Sequence, residues 1–159
     1  MEDYTFQLAS HDEIPEIVSI YHSLLGMPGC AWSRDYPSKE TAKDDVNNNW
    51  LYKLKKNGEI IAVVSIGDFD EIGDLSWKPK NPCELARLGV VPAFQKQGIG
   101  TIILQHTINT AKALGYDGIR MLVSKTNPIA LALYEKNNFE RCGEIFRFNI
   151  DYYCYQMVF

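Results

Sequence analysis

Apolar residues along this chain recur at two periods, one helical and one strand-like. Ile14, Ile17, Val18, Tyr21, Leu24 and Leu25 form one stripe of a helix. Its start is marked by Ser10-His11-Asp12-Glu13, a Ser-x-x-Glu capping box with acids suited to the helix dipole. Pro15 falls in the first turn, where a missing N–H costs little, and Gly26 and Pro28 end the helix. A second, weaker helix is expected over residues 39–48. The longest spans residues 98–114, with Ile103, Leu104, Thr107, Ile108, Ala111 and Leu114 on one side and Gly115 as its cap. A fourth covers residues 128–137.

Strands are expected at residues 5–9, 50–54, 59–67, 84–91, 119–124, 139–148 and 152–159. Asn57-Gly58 joins the second and third as a tight hairpin. The order is therefore β-α-α-β-β-β-α-β-α-β-β. It predicts an α/β fold of the α+β kind, with a mixed, mostly antiparallel sheet of about seven strands and about four flanking helices. The strand-helix-strand unit over residues 84–124 calls for a right-handed parallel crossover. Residues 27–37, carrying Trp32 and Tyr36, have no clear period, and residues 68–81 form an acid-rich loop. No repeat, low-complexity run or Gly/Ser linker divides the chain, so residues 1–159 read as one domain.

Composition narrows the function. With 159 residues and 46% hydrophobic positions the chain can bury a core without staples. A formal charge of −4 argues against nucleic acid as a partner, because phosphate neutralisation needs a basic face. The longest apolar run, residues 60–66, is interrupted by Ser65 and falls far short of the about 20 residues that span a bilayer. Residues 1–10 carry acids where a secretory signal has a basic patch, so no membrane association and a cytoplasmic location are expected. Cys30, Cys83, Cys142 and Cys154 lack metal-binding spacing and read as reduced thiols; no metal is expected.

The chemistry concentrates after the fourth strand. Glu84 to Val91 runs into Pro92-Ala93-Phe94-Gln95-Lys96-Gln97-Gly98-Ile99-Gly100-Thr101, a loop of amides and glycine that opens the longest helix. Unpaired N–H groups at such a helix start sit at the positive end of the dipole and can hold a phosphate, with Gly98 and Gly100 giving clearance. Two better-known phosphate loops are absent: the third glycine of a dinucleotide fingerprint is replaced by Ile103, and no Gly-Lys-Ser/Thr occurs.

Gln95-x-x-Gly98-x-Gly100, after Leu88-Gly89-Val90, resembles the pyrophosphate-binding signature of the GNAT N-acetyltransferase superfamily. Asn127-x-x-Ala130-x-x-x-Tyr134-x-x-x-x-Phe139 resembles that family's second motif, with Asn138 where a glycine is usual. The resemblance implies acetyl-coenzyme A as co-substrate. Leu88, Gly89 and Val90 would meet its pantetheine arm, and Gln95, Lys96, Gln97, Gly98, Ile99, Gly100 and Thr101 its pyrophosphate, chiefly through main chain. Asn127 would reach the pantetheine amides, Tyr134 the sulfur and Lys136 a phosphate.

Acetyl transfer to an amine needs loss of the ammonium proton, which at pH 7 costs about 4–5 kcal/mol for a lysine-like acceptor. It also needs a donor to the oxyanion and an acid for the thiolate. The resemblance assigns Tyr134 as the acid, Glu84 as the base acting through water, and the Val90 N–H as the oxyanion donor. Glu84 lies six residues before Val90, which strand periodicity places on the same face; the alternative is a solvated carboxylate or a partner for Arg87. Trp32 and Tyr36, with Glu84, are candidates for the acceptor site, to which Tyr152, Tyr153 and Tyr155 could add. The acceptor is a small-molecule amine or a protein amino group. The residues leave open a binding module that senses acyl-coenzyme A without turnover, a nucleotide-binding protein of another fold, and a homodimer through exposed sheet edges.

Overall fold

The computed structural model describes residues 3–159; the first two residues of the acid-bearing N-terminus lie outside the described residues. Strand β1 (Tyr4–Leu8) leads through a 3-10 turn (His11–Glu13) into α1 (Ile14–Ser23) and then α2 (Lys39–Asn47). Strands β2 (Leu51–Lys56), β3 (Glu59–Gly67) and β4 (Cys83–Val90) follow. A second 3-10 turn (Pro92–Phe94) precedes α3 (Ile99–Ala113), β5 (Gly118–Ser124), α4 (Pro128–Lys136), β6 (Glu140–Arg147) and β7 (Ile150–Val158). The expected element order and mixed α/β class are those observed.

The seven strands form one sheet in the order β1-β2-β3-β4-β5-β7-β6. Only β4 and β5 pair in parallel, as the α3 crossover requires. The apolar run of β3 is explained by its place: Ile60 to Gly67 are buried on both faces. On one face α3 sets Ile99, Ile103, Leu104 and Ile108 against Leu54, Ile61, Val64, Leu85 and Met121. On the other, α1 and α2 set Ile14, Ile17, Tyr21, Ala42 and Val46 against Leu51, Ile60 and Val63. Each such large aliphatic contributes about 1.5–3 kcal/mol on full burial.

Turns account for most boundary differences. The capping box forms, with the Ser10 N–H donating to Glu13 Oε1 at 2.9 Å, but it opens the 3-10 turn rather than α1 itself. Asn57 and Gly58 adopt φ 51° and 85°, as the β2–β3 hairpin demands. The last connection is tighter than expected: Phe148 and Asn149, at φ 55° and 64°, form a two-residue turn between β6 and β7.

One irregularity determines the site. Ser65 pairs with Ala86 and Val63 with Gly89, so β4 spends three residues where β3 spends two. The extra residue is a bulge at Arg87, φ 55°. Cys83 and Leu85 before it, and Leu88 and Val90 after it, all pack on the α3 face. The bulge therefore reverses the alternation, and Glu84 and Val90 lie on opposite faces of the sheet, not on one face as uninterrupted periodicity predicts.

Candidate functional site

Strands β4 and β5 pair at two positions only, Cys83 with Ile119 and Glu84 with Arg120. Beyond them β4 stays with β3 and β5 stays with β7, so a gap opens toward the C-terminal ends of both strands. The Val91 N–H donates to Ile61 O at 2.9 Å. By antiparallel alternation the backbone groups of Gly89 also face β3, and those of Leu88 and Val90 face the gap. The carbonyl of Val90 accepts a hydrogen bond from the Gln95 side chain at 3.0 Å, which folds the following loop back onto the strand.

That loop ends at Gly98, whose φ of 79° is left-handed, behind Lys96 at φ 63°. Helix α3 has no side-chain N-cap, and the backbone bond from Ile102 N to Gly98 O is the first of the helix. The amides of Ile99, Gly100 and Thr101 thus point out of the helix start unbonded, with the dipole behind them. Within the fold the two glycines also serve other ends than the clearance the sequence suggests. No atom lies within 4 Å of where a Gly98 Cβ would stand, so glycine is there for its backbone angle. A Cβ on Gly100 would meet Leu133 at 3.3 Å, so glycine there lets α3 approach α4. Lys136 is exposed one turn beyond Leu133.

Across the gap, Asn127 caps α4, its Oδ1 accepting from Ala130 N at 3.1 Å. A strap from Gly26 to Cys30 joins the two sides at the open end. Met27 Sδ lies 3.8 Å from Gln95 Nε2, and a Cβ on Gly29 would come within 2.9 Å of Asn127 Cα. Tyr134, in α4, is 5% exposed and packs edge-on against Phe139 at 5.5 Å. No described residue hydrogen-bonds its hydroxyl, yet that atom is not enclosed; Tyr21 holds the only enclosed, unpartnered side-chain polar atom among the described residues. Burial pushes the Tyr134 hydroxyl well above the ordinary tyrosine range, so it keeps its proton.

The opposite face, toward α1 and α2, carries a separate polar cluster. Arg87 donates from Nε and Nη2 to the two oxygens of Asp45, at 2.9 and 3.0 Å, both side chains 3% exposed. Ser65 donates to the same carboxylate at 2.6 Å, and Arg87 Nη1 donates to Tyr36 Oη at 2.8 Å. Glu84 is not a partner of Arg87. Its carboxylate takes Arg120 Nη2 at 2.6 Å and the backbone N–H of Glu71 at 3.0 Å, and it is 3% exposed. Glu84 therefore anchors the acid-rich loop. Trp32 stands over Gly89 and meets Tyr21 edge-on at 5.6 Å. Of the last-strand tyrosines, Tyr155 is enclosed in the α3-side core and Tyr153 lies under Arg141 at 3.8 Å. Strand alternation leaves Tyr152 on the polar-cluster face, opposite Ser124.

The acid-rich loop is tied down at several points. Arg147 pairs with Asp74 at 2.6 Å and donates to Glu71 O at 3.3 Å, while Asp70 lies 3.6 Å from Arg120. Asp45 and Arg120 were not singled out from the sequence, Tyr21 was read only as part of the apolar stripe of α1, and Glu71 only as one of the loop acids with Asp68, Asp70 and Asp74. Each comes from a different segment, and only the unusual stretch of four acids in residues 68–74 hinted at a cationic partner. Among the described residues no group of His, Cys, Asp and Glu could hold a metal, and no helix is long and apolar enough to cross a membrane. Burial pushes the Cys83 thiol up to about 12. A recess of about 390 Å³ lined by Ser76, Trp77, Lys78, Glu140, Cys142 and Gln156 lies at the other end of β5, away from the gap.

Known proteins resemble this chain in sequence and in fold. An uncharacterized N-acetyltransferase of Archaeoglobus fulgidus is 26% identical over 144 residues, covering 84% of this chain and 90% of that protein. A GNAT-family acetyltransferase of Streptococcus agalactiae superposes with a TM-score of 0.81 at 16% identity, covering 98% and 95% of the two chains. An acetyltransferase of Salmonella typhimurium, solved with its cofactor acetyl-CoA, superposes at 0.71 with 18% identity over 98% and 93%. Residues 17–139 match the profile of the Acetyltransferase (GNAT) family, so the chain, with its split parallel pair and uncapped α3, belongs to that family.

Proposed function

We propose that this protein, as one domain over residues 1–159 working in the cytoplasm, moves an acetyl group from acetyl-coenzyme A to a primary amine by direct attack. The observation that carries the reading is the β4–β5 gap, faced by the backbone of Leu88 and Val90 and lying beside the unbonded amides of α3. These residues fit the coenzyme. The amides of Ile99, Gly100 and Thr101 would hold the pyrophosphate. Leu88 and Val90 would pair with the pantetheine arm as with an added strand. Asn127, already spent on capping α4, would approach through its remaining amide hydrogens. The strap at Met27–Gly29 would close over the arm.

Bound acetyl-coenzyme A supplies an activated thioester. The chain's own residues do the rest. The Val90 N–H, on the gap side of β4, would donate to the thioester carbonyl oxygen as negative charge develops there. Tyr134, kept protonated by its burial, would give its hydroxyl proton to the coenzyme sulfur as the C–S bond breaks, after the amine nitrogen has bonded to the acetyl carbon. Glu84 has its oxygens engaged by Arg120 and two backbone N–H groups, so removal of the ammonium proton is assigned to water rather than to Glu84 directly. Calorimetry with acetyl-coenzyme A, followed by thiol release on a panel of amines, tests the reading. Binding with release is expected. Binding without release on any amine would convert the protein into an acyl-coenzyme A sensor, and no binding would remove the reading.

A further inference from the structure

In the acetyltransferase reading the acyl donor enters the gap from one face of the sheet, and the polar cluster occupies the other. That cluster has an uneven charge. Four carboxylates, Asp45, Asp70, Glu71 and Glu84, meet two guanidiniums, Arg87 and Arg120. Each guanidinium is consumed by a buried partner within 3.0 Å, Arg87 by Asp45 and Arg120 by Glu84. The third arginine nearby, Arg147, is matched by Asp74, and Arg34 sits at the exposed turn between Ser33 and Tyr36, beside Asp35.

Two carboxylates remain: Asp70, largely in solvent 3.6 Å from Arg120, and Glu71, the more buried of the two. The Glu71 side chain is half-exposed, and its closest cation, Arg87 Nη1, is 4.0 Å away and already bonded to Tyr36. Its backbone is fixed on both sides, the N–H by Glu84 and the carbonyl by Arg147. Burial raises its carboxyl above the ordinary range; Arg87 opposes this, and Glu84 and Asp45 add to it. Its negative charge is thus under-compensated by the protein itself. Two aromatic rings lie against its neighbour Arg87, Phe69 at 5.0 Å and Tyr36 at 6.0 Å from the guanidinium. A second, independent feature points to an incoming group. The Tyr21 hydroxyl is fully buried without a partner, and it feels Asp45, Arg87 and Tyr36, so it ends against this cluster.

Resting on the acetyltransferase reading, we infer that Glu71 selects the acceptor: it binds a second cationic centre of the amine substrate, several carbons from the nitrogen that reacts. The protein therefore prefers diamines or polyamines over amines of equal length that carry a carboxylate. Three acceptors with the same reacting end separate the cases: cadaverine, pentylamine and aminovalerate, whose far ends are cationic, absent and anionic.

In the wild type, thiol release should give kcat/KM highest for cadaverine and lowest for aminovalerate, with about tenfold between neighbours, the strength of one partly buried charge contact. Glu71→Gln should bring cadaverine down to pentylamine through KM, with pentylamine and acetyl-coenzyme A parameters unchanged. Glu71→Lys should put aminovalerate ahead. Glu71 accepts no hydrogen bond from the fold through its side chain, so both variants are expected to fold, which a melting curve verifies. A cadaverine advantage that survives Glu71→Gln, or wild-type activity on aminovalerate equal to that on cadaverine, overturns the inference and leaves acetyl transfer standing. Absence of thiol release with every amine removes both.

Discussion

Tyr134 draws its chemistry from where α4 sets it. The ring is held among Phe139, Tyr155 and the α3 core, while the hydroxyl makes no bond to the described residues. A tyrosine so placed loses nothing in packing when the oxygen is removed. Tyr134→Phe is expected to lower turnover at least tenfold, the usual scale for a lost general acid. Acetyl-coenzyme A affinity should be nearly unchanged, as steady-state kinetics beside calorimetry will show. Turnover at the wild-type level would take Tyr134 out of the mechanism. Because burial raises its ionisation above the ordinary tyrosine value of about 10, Tyr134 stays protonated below that pH. The alkaline limb of a pH–rate profile, where one appears below pH 10, should therefore persist in the phenylalanine variant.

Among the elements, β4 is the one whose reading from sequence and whose structure part company. Its bounds were legible from the alternation of Glu84 to Val91 and the closing Pro92. Its bulge was not. A left-handed residue usually announces itself as glycine or asparagine, but here it is Arg87, in a conformation that costs about 1–2 kcal/mol for such a residue. The compensation is non-local: the two-bonded pair with Asp45 of α2, reinforced by Ser65 of β3. Removing one partner leaves the other charged and buried. Asp45→Ala is expected to lower stability by about 3–5 kcal/mol, read from a urea titration. A loss within about 0.5 kcal/mol, the scale of an ordinary surface change, would show that the bulge holds without the pair. By contrast, Asn57-Gly58 and the stripe of α3 were legible because both signals are local and complete within a few residues.

For the whole molecule, legibility follows contiguity. The proposed coenzyme side is one uninterrupted stretch from Leu88 to Thr101 plus the α4 start, so its residues could be named from order alone. The polar cluster proposed to face the acceptor gathers Tyr21, Tyr36, Asp45, Glu71, Arg87 and Arg120 from six segments, and no pattern along the chain ties them. The same limit hid the position of β7, which lies between β5 and β6.

With only two parallel rungs, the sheet amounts to two panels, β1 to β4 and β5 to β7-β6, riveted where Glu84 grips Arg120. Each panel is internally well bonded, and beyond the rivet and the α3 crossover the panels are coupled by the loop of residues 68–81, through Arg147–Asp74, Lys78–Glu140 and the Asp117 carboxylate. A donor arm laid along the seam would stitch the panels together well beyond the rivet. Deuterium uptake should therefore report two cooperative units in the free protein, with amides of Leu88 and Val90 exchanging early. In the donor complex the units should merge and those two amides become slow. Uptake at Leu88 and Val90 that does not respond to the donor would mean that the arm lies elsewhere.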